Sequence, residues 1–234
     1  MPETRATVVL VHGAWHGAWC WQYLTEHLQR QRLAVHCVEL PSVTSEVAVG
    51  LREDAQHLSA LLSRLAGPVI LCGHSYGGMV VSAATLNHAD VRHLVYVCAY
   101  MTEAGESVQA SLRGAGERRP GHWIRRLPDG RTRVDAQRAR ALFYNDCSDA
   151  TQDWAVARLR PQWGQSLSQS CAVPAWQHRA STYVVCSEDR VLAPCIQRAT
   201  YAARAQQVIT LTSGHAPFLS QPLQLAQVLV SVAQ

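Results

Sequence analysis

The sequence predicts an α/β fold in which about six mainly parallel strands form one sheet with helices on both faces. Three observations carry this. Short β-branched runs alternate along the chain with segments of helical periodicity. The strand-like runs are continuously apolar, as in Val8-Val9-Leu10-Val11 and Val69-Ile70-Leu71-Cys72. And 234 residues, 48% of them apolar, can bury one substantial core. Alternation of this kind specifies parallel pairing through helical crossovers, and a continuous apolar run fits a strand covered on both faces. The simplest organisation is one domain with an insertion.

In chain order, the β-branched run Thr7–Val11 is the first strand and the periodic stretch Trp19–Arg30 the first helix. Ala34–Val38 and Glu46–Leu65 repeat the pair, as do Val69–Cys72 and Tyr76–Leu86; Leu94–Ala99 is a fourth strand. The alternation then stops and resumes with Thr182–Cys186, Pro194–Ala203, Gln207–Leu211 and Pro222–Val232. Residues 1–100 and 179–234 thus form the core, and 101–178 an inserted cap over the crevice at the carboxyl ends of the strands, where open α/β sheets bind ligands.

The insertion has its own character. It holds Trp123, Trp154, Trp163 and Trp176, a hairpin turn at Pro128-Asp129-Gly130, and two helical stretches, Ala136–Phe143 and Ala150–Leu159, the second capped by Ser148 or Asp149. Nine arginines fall between Arg113 and Arg140 against Glu117, Asp129 and Asp135. A solvated surface accounts for them more simply than an anion-attracting rim.

Composition excludes several function classes. Net charge is only +4 and no nucleic-acid motif accompanies the arginines, so no nucleic-acid partner is expected. No apolar stretch approaches the roughly 18 residues of a membrane span, and Met1-Pro2-Glu3-Thr4-Arg5 leads into a strand without a signal-peptide core. A cytoplasmic protein with no membrane partner is expected. All 21 basic residues are arginine, usage that suggests a GC-rich bacterial source. The eight cysteines form no C-x-x-C pair and several lie in apolar runs, as small reduced core residues do. Among eleven histidines the closest pair, His12 and His16, straddles Gly13 in a glycine-rich loop, which argues against a metal site.

The chemistry centres on Gly73-His74-Ser75-Tyr76-Gly77, between an apolar strand and an apolar helix. Gly-x-Ser-x-Gly alone is weak; on a strand-to-helix turn it is the nucleophile elbow of serine hydrolases. A serine hydroxyl needs a base oriented by a carboxylate, and on such a sheet both follow the serine, acid first. His215, presented by Thr212-Ser213-Gly214 after the last strand, is the base; His74 is fixed on the elbow and His93 precedes a strand. Glu188 and Asp189 both follow Thr182–Cys186, and position does not separate them. Backbone N–H donors for an oxyanion are expected from Tyr76, after the nucleophile, and Ala14, after the first strand.

Four blocks, Val9 to Trp21 (with His12-Gly13-Ala14-Trp15-His16-Gly17), Gly73 to Gly78, Cys186-Ser187-Glu188-Asp189-Arg190 and Ser213-Gly214-His215, resemble the α/β-hydrolase branch of plant salicylate-binding and methyl-ketone-type esterases, hydroxynitrile lyases and bacterial EstC-like esterases. The insertion resembles it less specifically, through Leu142–Cys147 and Ala157–Gln162. The resemblance implies an α/β-hydrolase fold, a Ser75–Asp189–His215 triad and an oxyanion hole of Ala14 and Tyr76. Plant hydroxynitrile lyases carry threonine where this chain has Gly13 and lysine where it has Ala216, so hydrolysis is favoured over lyase chemistry.

The expected function is a serine esterase without cofactor or metal, acting on a small to medium, apolar or aromatic ester, with Trp123, Phe143 and Phe218 as pocket walls. A lyase, cyclase or dehydratase with His215 as base is the alternative, and a non-catalytic receptor the third reading. The sequence leaves monomer and homodimer open.

Overall fold

A computed structural model describes residues 6–114 and 123–233. The core alternates as β1 (Thr7–Val11), α1 (Gln22–Arg30), β2 (Ala34–Val38), α2 (Pro41–Thr44), α3 (Leu51–Leu62), β3 (Val69–His74), α4 (Gly77–Ala84) and β4 (Val91–Val97). The insertion follows, with α5 (Val108–Gly114), β5 (Ile124–Arg126), β6 (Arg131–Val134), α6 (Ala136–Phe143), α7 (Asp149–Val156), β7 (Gln162–Trp163) and α8 (Gln165–Ser168). The core resumes with β8 (Ser181–Cys186), α9 (Pro194–Ile196), β9 (Gln207–Leu211), α10 (Pro217–Ser220) and α11 (Pro222–Val232).

Six strands form one sheet in the order β2-β1-β3-β4-β8-β9, every neighbouring pair parallel. Central strands are buried on both faces: all six residues of β3 and all six of β8 are buried, which is why they read as unbroken apolar runs. Because the strands are parallel, their carboxyl ends share one edge. His12 follows β1, Ser75 follows β3, Asp189 follows β8 and His215 follows β9, so the topology gathers residues far apart in sequence.

Between β4 and β8 a second, three-stranded antiparallel sheet forms in the order β5-β6-β7, its hairpin turning at Pro128–Gly130. Asp135 caps α6 by accepting the Arg138 N–H at 3.2 Å, and Ser148, not Asp149, caps α7 by accepting that of Thr151 at 3.3 Å. Three of the arginines between Arg113 and Arg140 meet surface carboxylates: Arg125 with Asp135 (3.0 Å), Arg131 with Asp129 (2.6 Å), and Arg140 with Asp149 and Asp153. None lines the cavity beside Ser75. Glu117, Arg118 and Arg119 lie outside the described residues, as do Met1–Arg5. All eight cysteines are free thiols, and among the described residues no helix is long and apolar enough to cross a membrane.

Candidate active site

Ser75 sits between β3 and α4 with φ +51°, the left-handed region that a non-glycine residue rarely enters. Close packing dictates the turn. A Cβ added at Gly73 would lie 2.6 Å from the Gly77 carbonyl oxygen, and one at Gly77 2.4 Å from that of Val11 on β1, so only glycine lets strand, turn and helix meet. The strained residue is pinned through its backbone: its N–H donates to Val97 O (3.2 Å), and its carbonyl accepts from Gly78 (3.0 Å) and Tyr100 (3.1 Å). Strain at such a position costs on the order of 1 kcal/mol for a residue with a Cβ. Ser75→Gly is therefore expected to be more stable than Ser75→Ala by about 1 kcal/mol in denaturant unfolding; equal stabilities would mean that the elbow stores no strain.

His215 and Asp189 meet at the same edge. His215 Nδ1 lies 2.8 Å from Asp189 Oδ2, and both side chains are almost fully buried. Asp189 Oδ2 also accepts from Gln197 Nε2 (2.9 Å), and Oδ1 from the N–H groups of Val191 (2.7 Å) and Leu192 (3.0 Å). A carboxylate so placed only accepts, so His215 Nδ1 carries the proton and Nε2 is left as the basic atom. Of the two acids that position left open, Asp189 lies against the histidine and Glu188 is exposed.

The His215 backbone is held as well. Its carbonyl accepts from His74 Nε2 (2.8 Å) and the Cys98 thiol (3.4 Å). His74, Cys98 and His215 bring ligand-type atoms within 4.8 Å of one another, a grouping that could suit a metal ion. Two of the three already converge on a carbonyl, however, and the third orients toward Asp189, so hydrogen bonding accounts for the cluster. His93, on β4, is half-buried and bonds Thr182 Oγ1 at 2.8 Å.

In the loop after β1 the carbonyls of three successive residues, Gly13 to Trp15, are held. The Gly13 carbonyl accepts from His12 Nδ1 (2.8 Å) and His16 N–H (3.3 Å), and the Ala14 carbonyl from His16 Nδ1 (2.8 Å). Trp15 N–H donates to Gln162 Oε1 (2.7 Å), and the Trp15 carbonyl accepts Arg160 N–H (2.9 Å). Among the described residues, the N–H groups of Ala14 and Tyr76 meet no protein acceptor, and both residues line the cavity that also contains Ser75 and His215. In a trans peptide C=O and N–H point oppositely, so holding the Gly13 carbonyl turns the Ala14 N–H the other way. Two unused donors beside a serine can receive a developing oxyanion.

The cavity is narrow, about 30 Å³. Trp15, Trp123 and Phe143 form an aromatic corner with ring centroids 5.6 to 6.2 Å apart. Trp123 and Phe143 thus stand where the sequence suggested, but Phe218 does not. It is fully buried beneath the site, 4.9 Å from Trp21 and 4.8 Å from His74 between ring centroids, because α10 starts two residues after His215 and turns it into the core. His16, which the sequence argues against as a metal ligand, is a wall residue, its Nε2 2.8 Å from Tyr144 OH. Burial pushes the His16 imidazole down to about 3 and His74 well below the usual range, so both are neutral near pH 7. A larger open groove of about 790 Å³, between α3, α4 and α8, contains none of Ser75, Asp189 or His215.

Residues 8–228 match the model of the alpha/beta hydrolase family. The chain belongs to that family. It is 28% identical over 234 residues to the alpha/beta hydrolase nvfD of Aspergillus novofumigatus, covering 93% of this chain and 92% of that one. Methyl jasmonate esterase 1 of Vitis vinifera is 27% identical over 261 residues, with 100% of this chain and 99% of that one covered. The crystal structure of a pyrethroid hydrolase from Sphingobium faniae superposes with a TM-score of 0.84 at 23% identity, covering 98% of each chain, which establishes the shared fold. The relatives place this α/β hydrolase in the esterase branch. Its Gly13 is also sterically constrained: a Cβ there would lie 2.6 Å from His74 Nδ1 and 3.0 Å from Ser75 Cβ, so the threonine of the lyases has no room unless the histidine moves.

Proposed function

We propose that this α/β hydrolase is a serine esterase that cleaves a small to medium, apolar or aromatic ester through an acyl-enzyme on Ser75. The observation that carries the reading is the 2.8 Å Asp189–His215 pair at the sheet edge that presents the strained Ser75, with two unused N–H groups lining the same cavity.

His215 Nε2 takes the proton of Ser75 Oγ as that oxygen attacks the ester carbonyl. The tetrahedral oxyanion is received by the Ala14 and Tyr76 N–H groups; collapse breaks the C–O bond to the alcohol, which leaves with the proton from His215. Water, deprotonated by the same histidine, then attacks the acyl-serine and releases the acid. No step calls for a cofactor.

The walls support this substrate class. Trp15, Trp123 and Phe143 offer apolar faces and few polar anchors, the pattern of pockets for aromatic or aliphatic groups. That relatives are named for methyl jasmonate and pyrethroids supports an ester of this kind. Residues 101–178 act as the cap: Trp123, Phe143 and Leu167 come from it. Hydrolysis of 4-nitrophenyl esters of increasing acyl length, alongside aromatic methyl esters, tests the reading. Turnover is expected to favour short acyl or aromatic groups and fall with long chains; a folded protein inactive on every ester would shift the assignment to non-hydrolytic use of His215.

A further inference from the structure

We propose that Gln162 is a positioning residue for the oxyanion hole, a buried amide through which the insertion sets the orientation of the Ala14 N–H. The inference rests on the esterase reading above and deepens it.

Gln162 lies on β7 and is fully buried. Its Oε1 accepts Trp15 N–H at 2.7 Å, while Nε2 donates to Ser42 Oγ (3.1 Å) and Ser166 Oγ (2.9 Å). The amide therefore cannot rotate without stranding a buried donor or acceptor. From Ser42 the path continues: Ser42 N–H donates to Asp54 Oδ1 (2.8 Å), and Asp54 Oδ2 accepts from Tyr76 OH (2.7 Å). One buried chain of hydrogen bonds thus runs from the peptide beside Ala14 to the side chain of Tyr76, the two residues whose N–H groups form the proposed hole.

The grip on Trp15 is threefold. Besides Gln162, Thr132 Oγ1 accepts Trp15 Nε1–H at 3.0 Å and itself donates to the Gln162 carbonyl at 3.2 Å, and Arg160 N–H holds the Trp15 carbonyl at 2.9 Å. All three partners belong to the insertion. Trp15 has φ +62°, and a β-carbon-bearing residue persists there only where its surroundings over-determine it. The Ala14–Trp15 peptide, clamped by His16 at its carbonyl and by Gln162 at its N–H, shares Ala14 Cα with the plane that carries the Ala14 N–H. The Gly13 carbonyl holds that plane from its other end, so loss of the Gln162 clamp leaves the Ala14 N–H fixed from one side only. The oxyanion exists only in the tetrahedral state, so loss of the clamp should reduce kcat and leave KM alone.

The test compares wild type with Gln162→Met, which keeps the volume and lacks the acceptor. On an aryl ester, kcat is expected to fall on the order of 10- to 100-fold with KM changed by less than about twofold. Inhibition by a trifluoromethyl ketone of the same acyl group, which binds as a hemiketal oxyanion, should weaken by the same factor. A folded variant with kcat within about twofold of wild type overturns the inference. Should Gln162→Met not fold, Gln162→Asn decides: its amide is one methylene shorter and withdraws the acceptor from the Trp15 N–H. Its kcat on the same ester is expected to fall about tenfold or more, and a folded Gln162→Asn within about twofold of wild type overturns the inference. A wild type without Ser75-dependent turnover removes the esterase reading itself; an active wild type indifferent to Gln162 removes this inference alone.

Discussion

Asp189→Asn is expected to lower kcat by about 10,000-fold while leaving the protein folded. The reason is the set of partners around the carboxylate. Oδ1 faces two backbone donors, Val191 and Leu192 N–H, so the asparagine oxygen must occupy that side. Its NH₂ then replaces Oδ2, opposite Gln197 Nε2 and His215 Nδ1. A donor facing Nδ1 selects the imidazole tautomer with the proton on Nε2, which removes the lone pair that should accept the Ser75 proton. Steady-state kcat and a thermal melt, measured together, check it. A loss below about tenfold in a folded variant would mean that Asp189 does not set the tautomer. Glu188→Gln, an exposed change at the neighbouring position, should leave kcat close to wild type.

Acidification is expected to destabilise the protein well above the pH at which most carboxylates titrate. His16 and His74 are fully buried, and desolvation lowers both, His16 to about 3. His12 is lowered for the same first cause. The unfolded histidines titrate near 6.5 and the folded ones lower, so below about pH 6.5 the unfolded state binds more protons and stability falls as pH falls. By pH 5 the loss is about 2 kcal/mol for His16, with His74 and His12 adding in the same direction. Against a total stability of about 5–15 kcal/mol this is a large fraction. Asp54 opposes the trend, because burial raises its carboxyl, but it is one group against four, since burial lowers His93 as well. Denaturant unfolding at pH 7.5, 6 and 5 checks the prediction: the midpoint should drop steadily below pH 6.5, and a midpoint flat down to pH 5 would contradict it.

The parallel sheet was legible because burial on both faces leaves an apolar signature. β1, β2, β9 and α11 begin and end where the sequence suggested. Elsewhere local backbone geometry overrode composition. The fourth strand was expected through Ala99, but it stops at Val97 because Cys98 turns to φ +35°, a change that three apolar residues in a row conceal. The second long helix was expected from Glu46 and starts at Leu51, where Glu53 Oε2 reaches back to accept the Gly50 N–H at 2.7 Å; Gly-x-x-Glu was a readable start signal. The expected helix Pro194–Ala203 breaks after Ile196 into π and 3-10 turns, and this places the Gln197 amide against Asp189.

In the site, the order of residues along the chain was enough to expect Ser75, His215 and the loops of Ala14 and Tyr76 around one cavity, which all of them line. What was hidden depends on long-range packing. Gln162 meets Trp15 across 147 positions, and Gln197 reaches Asp189 from an irregular turn; neither carries a local motif. Phe218 was misplaced because adjacency to His215 says nothing about which way α10 turns its side chains.

The most direct measurement is turnover of a short-chain 4-nitrophenyl ester by wild type and Ser75→Ala, side by side with their melts. The predicted result is a variant that folds like wild type and loses activity by roughly 100,000-fold or more, down to background. A folded Ser75→Ala that retains activity within about tenfold of wild type would contradict the acyl-enzyme on Ser75 and everything built on it.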